Sequence, residues 1–303
     1  MSLQLPERAR RIGTWTIVPA SLLLLGACSS DDRDQIGRLA MPEPATDRAV
    51  LVNDLWQGGW LAAILVGILV WGLILYAAFR FRRRSEDEVP VQTRYNLPIE
   101  ILYTIAPIVM VLVFFYFTVD TQNKVLASAS GSTASASANG EADHTIDVVG
   151  AKWSWTFNYI EEDAVDGDSV YTVGTPADFP TLVLPVDESV DINLSSPDVI
   201  HSFWVPSFLF KMDVVPGLDN SFSFTPIREG TFAGKCAELC GAYHSRMLFK
   251  VEVVSAEEYD ERLQALKERG NVGVAKGGAD ATTQAGREDE VQDDETSSLG
   301  DAE

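Results

Sequence analysis

Gly234 to Met247 read GKCAELCGAYHSRM, and within that stretch Cys236, Cys240, His244 and Met247 fall at the spacing CxxxCxxxHxxM. The segments running into and out of it, GTFAGK and MLFKVEVV, are rich in β-forming residues, so the four side chains sit on a loop between two strands. Two thiols, an imidazole and a thioether form a soft donor set, which selects copper over hard cations such as magnesium or calcium. A mononuclear blue-copper site uses one cysteine, whereas this loop has two.

Working upstream from the loop, the segments TIDVVG, KWSWTFNY, TLVLP, SVDINLSS, HSFWVP and SFSFTP alternate with turn residues from Thr145 onwards. That spacing predicts an antiparallel sandwich or barrel. Trp153 and Trp155 alternate along one predicted strand and share a face, which packing alone would explain. Downstream, Ser255 with Glu258 reads as a capping box opening a charged helix, AEEYDERLQALKER, that ends near Gly270.

The first 120 residues hold two long apolar runs and most of the arginine clusters. Leu61 to Phe79 carry no charge over 19 residues, with Trp56 and Trp60 close by, long enough to cross about 30 Å of hydrocarbon. Arg80, Arg82, Arg83 and Arg84 follow at once and place the next loop in the cytoplasm by the positive-inside rule. A second run, Ile101 to Val119, returns the chain to the outer side; Pro107 within it is tolerable in a membrane helix. Glu100 stands at the cytoplasmic entrance of that run, as a helix-start acid or as part of a proton path.

Residues 1–28 combine Arg8, Arg10 and Arg11, a short apolar core and the run LGAC, which resembles a bacterial lipoprotein cleavage box. Cys28 is then the lipidated first residue of the mature chain. The expected organisation is a signal peptide at 1–27, an outer segment at 28–55 and a transmembrane hairpin at 56–120, with helices at about 60–79 and 99–119 and a cytoplasmic loop at 80–98. A flexible tether follows at 121–144, then the β-domain at 145–254, a helix at 255–269 and an acidic disordered tail at 270–303. The net charge of −21 argues against nucleic acid as a partner and favours a cationic one.

Outside the cytoplasm two nearby cysteines often form a disulfide, but that leaves His244, Met247 and His201, in a chain with three histidines, without a role. Zinc accepts Cys2His2 but has no use for a thioether. Two bridged coppers use the whole inventory, as an electron relay would.

On the residues CAELCG and HxxM, together with DVIHSF at Asp198 to Phe203, the chain resembles cytochrome c oxidase subunit II from about Trp56 to Val254. The resemblance implies a two-helix transmembrane hairpin carrying an all-β, cupredoxin-like Greek-key sandwich on the outer face of the cell membrane. It implies a binuclear copper A centre bridged by Cys236 and Cys240, with His201 and Met247 on one copper and His244 and the Glu238 carbonyl on the other. It further implies that the Glu238 carboxylate reaches a magnesium ion shared with subunit I. Trp153 becomes the electron entry point from cytochrome c, and Glu100 the entrance of a proton channel. Electrons then pass to a haem in subunit I, which reduces oxygen and does most of the proton pumping. Other partners expected are the remaining oxidase subunits and the lipid membrane. A quinol oxidase subunit II lacks the copper ligands present here. Nitrous oxide reductase needs many more histidines, and a membrane-tethered copper carrier would need neither Trp153, Glu100 nor a second bridging cysteine. The acidic insertion Glu161 to Phe179 and the tail are assigned no site, and no CxxCH haem motif occurs.

Overall fold

The computed structural model describes residues 30–85, 88–127 and 142–277. Cys28, most of the predicted tether and the tail beyond Gly277 lie outside the described residues. Residues up to Glu43 form a unit of their own, whose one described element is the helix α1, Ser30–Gly37.

The second unit opens with two long helices, α2 (Asp47–Arg80) and α3 (Leu97–Val125), both long and apolar enough to cross a membrane. Each is longer than its apolar run. Thr46 caps α2 by accepting from the Ala49 amide, so the helix starts 14 residues before Leu61. At 1.5 Å per residue, 34 residues make about 51 Å, well beyond the hydrocarbon thickness. Hydropathy marks only the part in lipid; the polar residues on either side keep the helical path. The predicted outer segment therefore loses residues 47–55 to α2, and the predicted tether loses residues 121–125 to α3. In the last turns of α3, Lys124 pairs with Asp120 at 2.7 Å, four residues apart.

The extended end of α2 is fastened to the β-domain. Ala45 donates to the Ser207 carbonyl, Ile227 to Ala45, and the amide of Thr225 to the Asp47 carboxylate at 2.8 Å. Arg48 is buried and donates to the Lys124 carbonyl, which also ties α2 to the end of α3.

Ten strands follow: β1 His144–Ala151, β2 Ser154–Tyr159, β3 Val170–Val173, β4 Thr181–Pro185, β5 Val190–Ser195, β6 His201–Val205, β7 Phe210–Val214, β8 Asn220–Phe224, β9 Gly230–Cys236 and β10 Leu248–Val254. They form two five-stranded sheets, ordered β3-β2-β1-β5-β8 and β4-β10-β9-β6-β7. The expected sandwich is present, with one correction to an all-antiparallel arrangement. β1 pairs with β5, and β4 with β10, in parallel, because the chain crosses between the sheets before returning beside an earlier strand. Between the sheets lies an aromatic core in which Trp155 meets Phe203 and Phe249 edge-on, and Phe203 stacks on Phe249 at 4.9 Å. A side chain at Gly234 would collide with the Phe249 ring, so the strand leading into the cysteine loop needs glycine there.

Two strands were not anticipated. β7 is the short alternating sequence FKMDV, and β3 lies inside the acidic insertion. That insertion is built into the fold. The Glu162 carboxylate is buried; it accepts from Tyr259 of the final helix α4 (Ala256–Glu268) at 3.0 Å and faces His144 Nδ1 at 2.8 Å. His144 Nε2 faces Glu188 at 2.6 Å. The described start of the predicted tail is ordered: Val272 bridges Val170, and the Ala275 amide donates to the buried Asn158 side chain at 2.7 Å, so residues 271–277 pack on the first sheet.

Burial by itself would lower the His144 pKa, but the two carboxylates outweigh it and raise it from 6.5 to about 9. The stabilisation is therefore complete below the unfolded value and lost as pH rises through about 9. By linkage this amounts to about 3 kcal/mol. The thermal midpoint of the full-length protein is expected to fall between pH 7 and 10, and His144→Gln is expected to flatten that part of the pH profile.

Candidate metal centre

The geometry follows from strand register. β6 and β9 are neighbours with Phe203 opposite Cys236, and His201, two residues before Phe203, lies on the same inward face. The loop after β9 is closed by backbone bonds: the Cys236 amide donates to the Met247 carbonyl, and the Ala237 amide to Ser202. Trp155, wholly buried, donates from Nε1 to the same Met247 carbonyl at 3.4 Å.

Five side-chain donor atoms and one carbonyl oxygen converge. Cys236 Sγ and Cys240 Sγ lie 3.8 Å apart. His201 Nδ1 is 3.9 Å from Cys236 Sγ, while His244 Nδ1 and Met247 Sδ are 3.6 and 3.7 Å from Cys240 Sγ. The Glu238 carbonyl is 3.2 Å from Cys236 Sγ, and the Glu238 side chain points to the exposed surface. The ligand atoms of His201, Cys236 and Cys240 all lie within 4.8 Å of one another. Both cysteines are free thiols, not a disulfide. His201 and Met247 are fully buried, the cysteines nearly so, and His244 is half-buried.

This cluster fits a soft cation. The neighbouring thiol lowers the Cys236 pKa, against the effect of burial, and the same contact raises that of Cys240. Two thiolates at this separation repel in a poorly solvated site, so both can ionise together only with positive charge between them. The buried thioether adds a donor that suits copper and not zinc.

Sequence reasoning missed a supporting residue. Asp198 accepts from His201 Nε2 at 2.9 Å, which turns Nδ1 toward the cysteines and fixes the ring. Its other oxygen accepts from the Lys152 amide at 2.8 Å, fastening the β1–β2 turn to the same site. Burial would raise the Asp198 pKa, but the bonds from His201, Lys152 and Val199 lower it to about 2. A carboxylate three residues before a histidine was the available signal.

Trp153 lies on that turn, half-buried, and its Nε1 donates to the Cys240 carbonyl at 3.1 Å. Glu100 belongs to another part of the molecule. It sits in the first turn of α3, where its carboxylate accepts from the Asn96 amide at 2.9 Å, and about 37 Å of helix separates it from Val125.

Comparison with known proteins gives concordant matches. Residues 144–254 match the family model for the periplasmic domain of cytochrome c oxidase subunit II, and residues 35–119 match the model for its transmembrane domain. A probable cytochrome c oxidase subunit 2 of Streptomyces avermitilis is 44% identical over 92% of this chain and 94% of its own length. The subunit 2 of Corynebacterium glutamicum is 36% identical over 74% of this chain and 75% of its own. Among solved structures, the periplasmic domain of subunit II of Bradyrhizobium japonicum cytochrome oxidase is 29% identical, covering 43% of this chain and 96% of that one, with a TM-score of 0.38.

Proposed function

Because this chain belongs to the cytochrome c oxidase subunit II family, we propose that it is the electron-accepting subunit of a haem-copper oxidase, taking electrons singly from a cytochrome c and passing them to haem in subunit I. The observation that carries this reading is the convergence of two buried thiols, two imidazoles and a buried thioether at one end of the sandwich. Cys236, Cys240, His201, His244, Met247 and the Glu238 carbonyl would together hold the copper centre. When bound, the copper pair supplies a centre that takes up and releases one electron shared over both metals.

The chain's own residues do the rest. Asp198 keeps a proton on His201 Nε2, so that Nδ1 stays free to ligate. The buried rings of Phe203 and Trp155 keep water from the donors. Trp153, half-buried, would present its aromatic edge to the donor and gives its N–H to the Cys240 carbonyl, a polar link from the surface toward the thiols. The acidic surface would speed encounter with a basic cytochrome, an effect that salt screens.

At the remaining positions, the Glu238 carboxylate would hold magnesium against subunit I, and Glu100 would open the proton path on the cytoplasmic side. Oxygen reduction belongs to subunit I. A lipid on Cys28, after removal of residues 1–27, would add an anchor beside the two helices.

Trp153→Phe removes the indole N–H and its bond to Cys240. In the assembled oxidase it is expected to slow reduction by ferrocytochrome c about two- to tenfold, the scale of one lost hydrogen bond, with copper content unchanged. Stopped-flow absorbance reads this directly, and an unaltered rate would rule out Trp153 as the entry point.

A further inference from the structure

Trp153 has one polar anchor, the Nε1–H bond to the Cys240 carbonyl at 3.1 Å, and it stands on a turn, not within a strand. A single hydrogen bond leaves the indole plane free to swing unless other groups box it in. Two do. Gly241, at φ +123°, lies so close that a side chain there would sit 3.1 Å from Nε1 and 3.2 Å from Cζ2. Tyr243 meets the indole edge-on, with ring centroids 4.9 Å apart and planes at 82°.

Tyr243 is itself held from beyond. The Arg246 amide donates to the Tyr243 carbonyl at 2.8 Å, and the Arg246 guanidinium stands over the tyrosine ring at 5.9 Å. Tyr243 is 42% exposed, so burial does not account for its position. It also immediately precedes His244, whose Nδ1 faces Cys240.

We propose that Tyr243 is a positioning residue, whose ring holds the Trp153 indole where Nε1–H meets the Cys240 carbonyl and thereby sets how efficiently electrons enter. This rests on the reading of Trp153 as the entry point. The step moves one electron from a ferrous haem donor, which becomes ferric, to the copper centre that Cys236 and Cys240 would hold, which is reduced by that one electron, and no bond is made or broken. The work belongs to the ring of Tyr243 and not to its hydroxyl, so phenylalanine serves in its place.

The test uses the full-length chain, labelled with 15N-tryptophan, and the assembled oxidase that contains it. The Trp153 indole N–H, assigned by its absence in Trp153→Phe, is expected to exchange slowly with solvent in the wild type and quickly in Tyr243→Ala. Electron entry from ferrocytochrome c is expected to fall about three- to tenfold in Tyr243→Ala, the weight of one edge-to-face aromatic pair. Copper content and onward transfer to haem stay unchanged, and Tyr243→Phe restores both the protection and the rate. Unaltered indole exchange in Tyr243→Ala overturns the inference, as does loss of copper from that variant, which would place the role of Tyr243 at His244. If Tyr243→Phe is as impaired as Tyr243→Ala, the hydroxyl is responsible and the inference again fails. An unaltered entry rate in Trp153→Phe removes the underlying reading of Trp153 instead.

Discussion

Cys240→Ser is expected to abolish the two-metal site while leaving the sandwich folded. Cys240 Sγ is the hub of the cluster, with Cys236 Sγ, His244 Nδ1 and Met247 Sδ all within 3.8 Å of it. A serine hydroxyl fills nearly the same volume but does not ionise at neutral pH and is a hard donor, so the second bridge and the match to copper are both lost. Bound copper should drop from about two per chain to one at most, an arrangement set by the remaining soft ligands. Turnover with ferrocytochrome c should fall by more than about 100-fold, beyond the range typical of residues that only support a ligand. Metal analysis and oxygen consumption check the two parts, and far-ultraviolet circular dichroism should be unaltered because strand register does not depend on the thiol.

Asp198→Ala has the second-largest expected effect, although Asp198 touches no metal. Its loss leaves the Nε2–H of His201, a fully buried side chain, and the Lys152 amide without their acceptor. An orphaned buried donor costs about 1–3 kcal/mol, and losing the partner of a ligating histidine weakens metal binding about 10- to 100-fold. Both effects should appear together, as a lower denaturation midpoint and a weaker apparent affinity in competition with a copper chelator. Asp198→Asn keeps an oxygen able to accept from Nε2 and should retain most of the affinity. Equal loss in the two variants would mean that the charge of Asp198 matters and its geometry does not.

The sequence already indicated the loop between strands, because CxxxCxxxHxxM fixes donor identity whatever the fold. His201 joined it through the scarcity of histidines and through DVIHSF, and register then explains the meeting: β6 lies beside β9 with Phe203 opposite Cys236. Eight strands were visible as β-rich runs. β7 was missed although Phe210, Met212 and Val214 alternate with Lys211 and Asp213 as in a half-buried edge strand, because five residues with two charges lack the β-rich composition of the other runs, and β3 because the insertion around it looks like an acidic loop. Helix ends were hidden for another reason: hydropathy reports lipid, and α2 continues past lipid to carry Ala45 and Asp47 into contact with the β-domain. Clusters joined only in three dimensions, such as His144 with Glu162, Glu188 and Tyr259, leave no local pattern to read.

The central claim, that this loop holds two electronically joined coppers, is tested most directly by electron paramagnetic resonance of the copper-loaded full-length chain. The donor set around Cys236 and Cys240 predicts one unpaired electron split by two equivalent copper nuclei. A mononuclear copper pattern, or a silent spectrum from bound zinc, would contradict it.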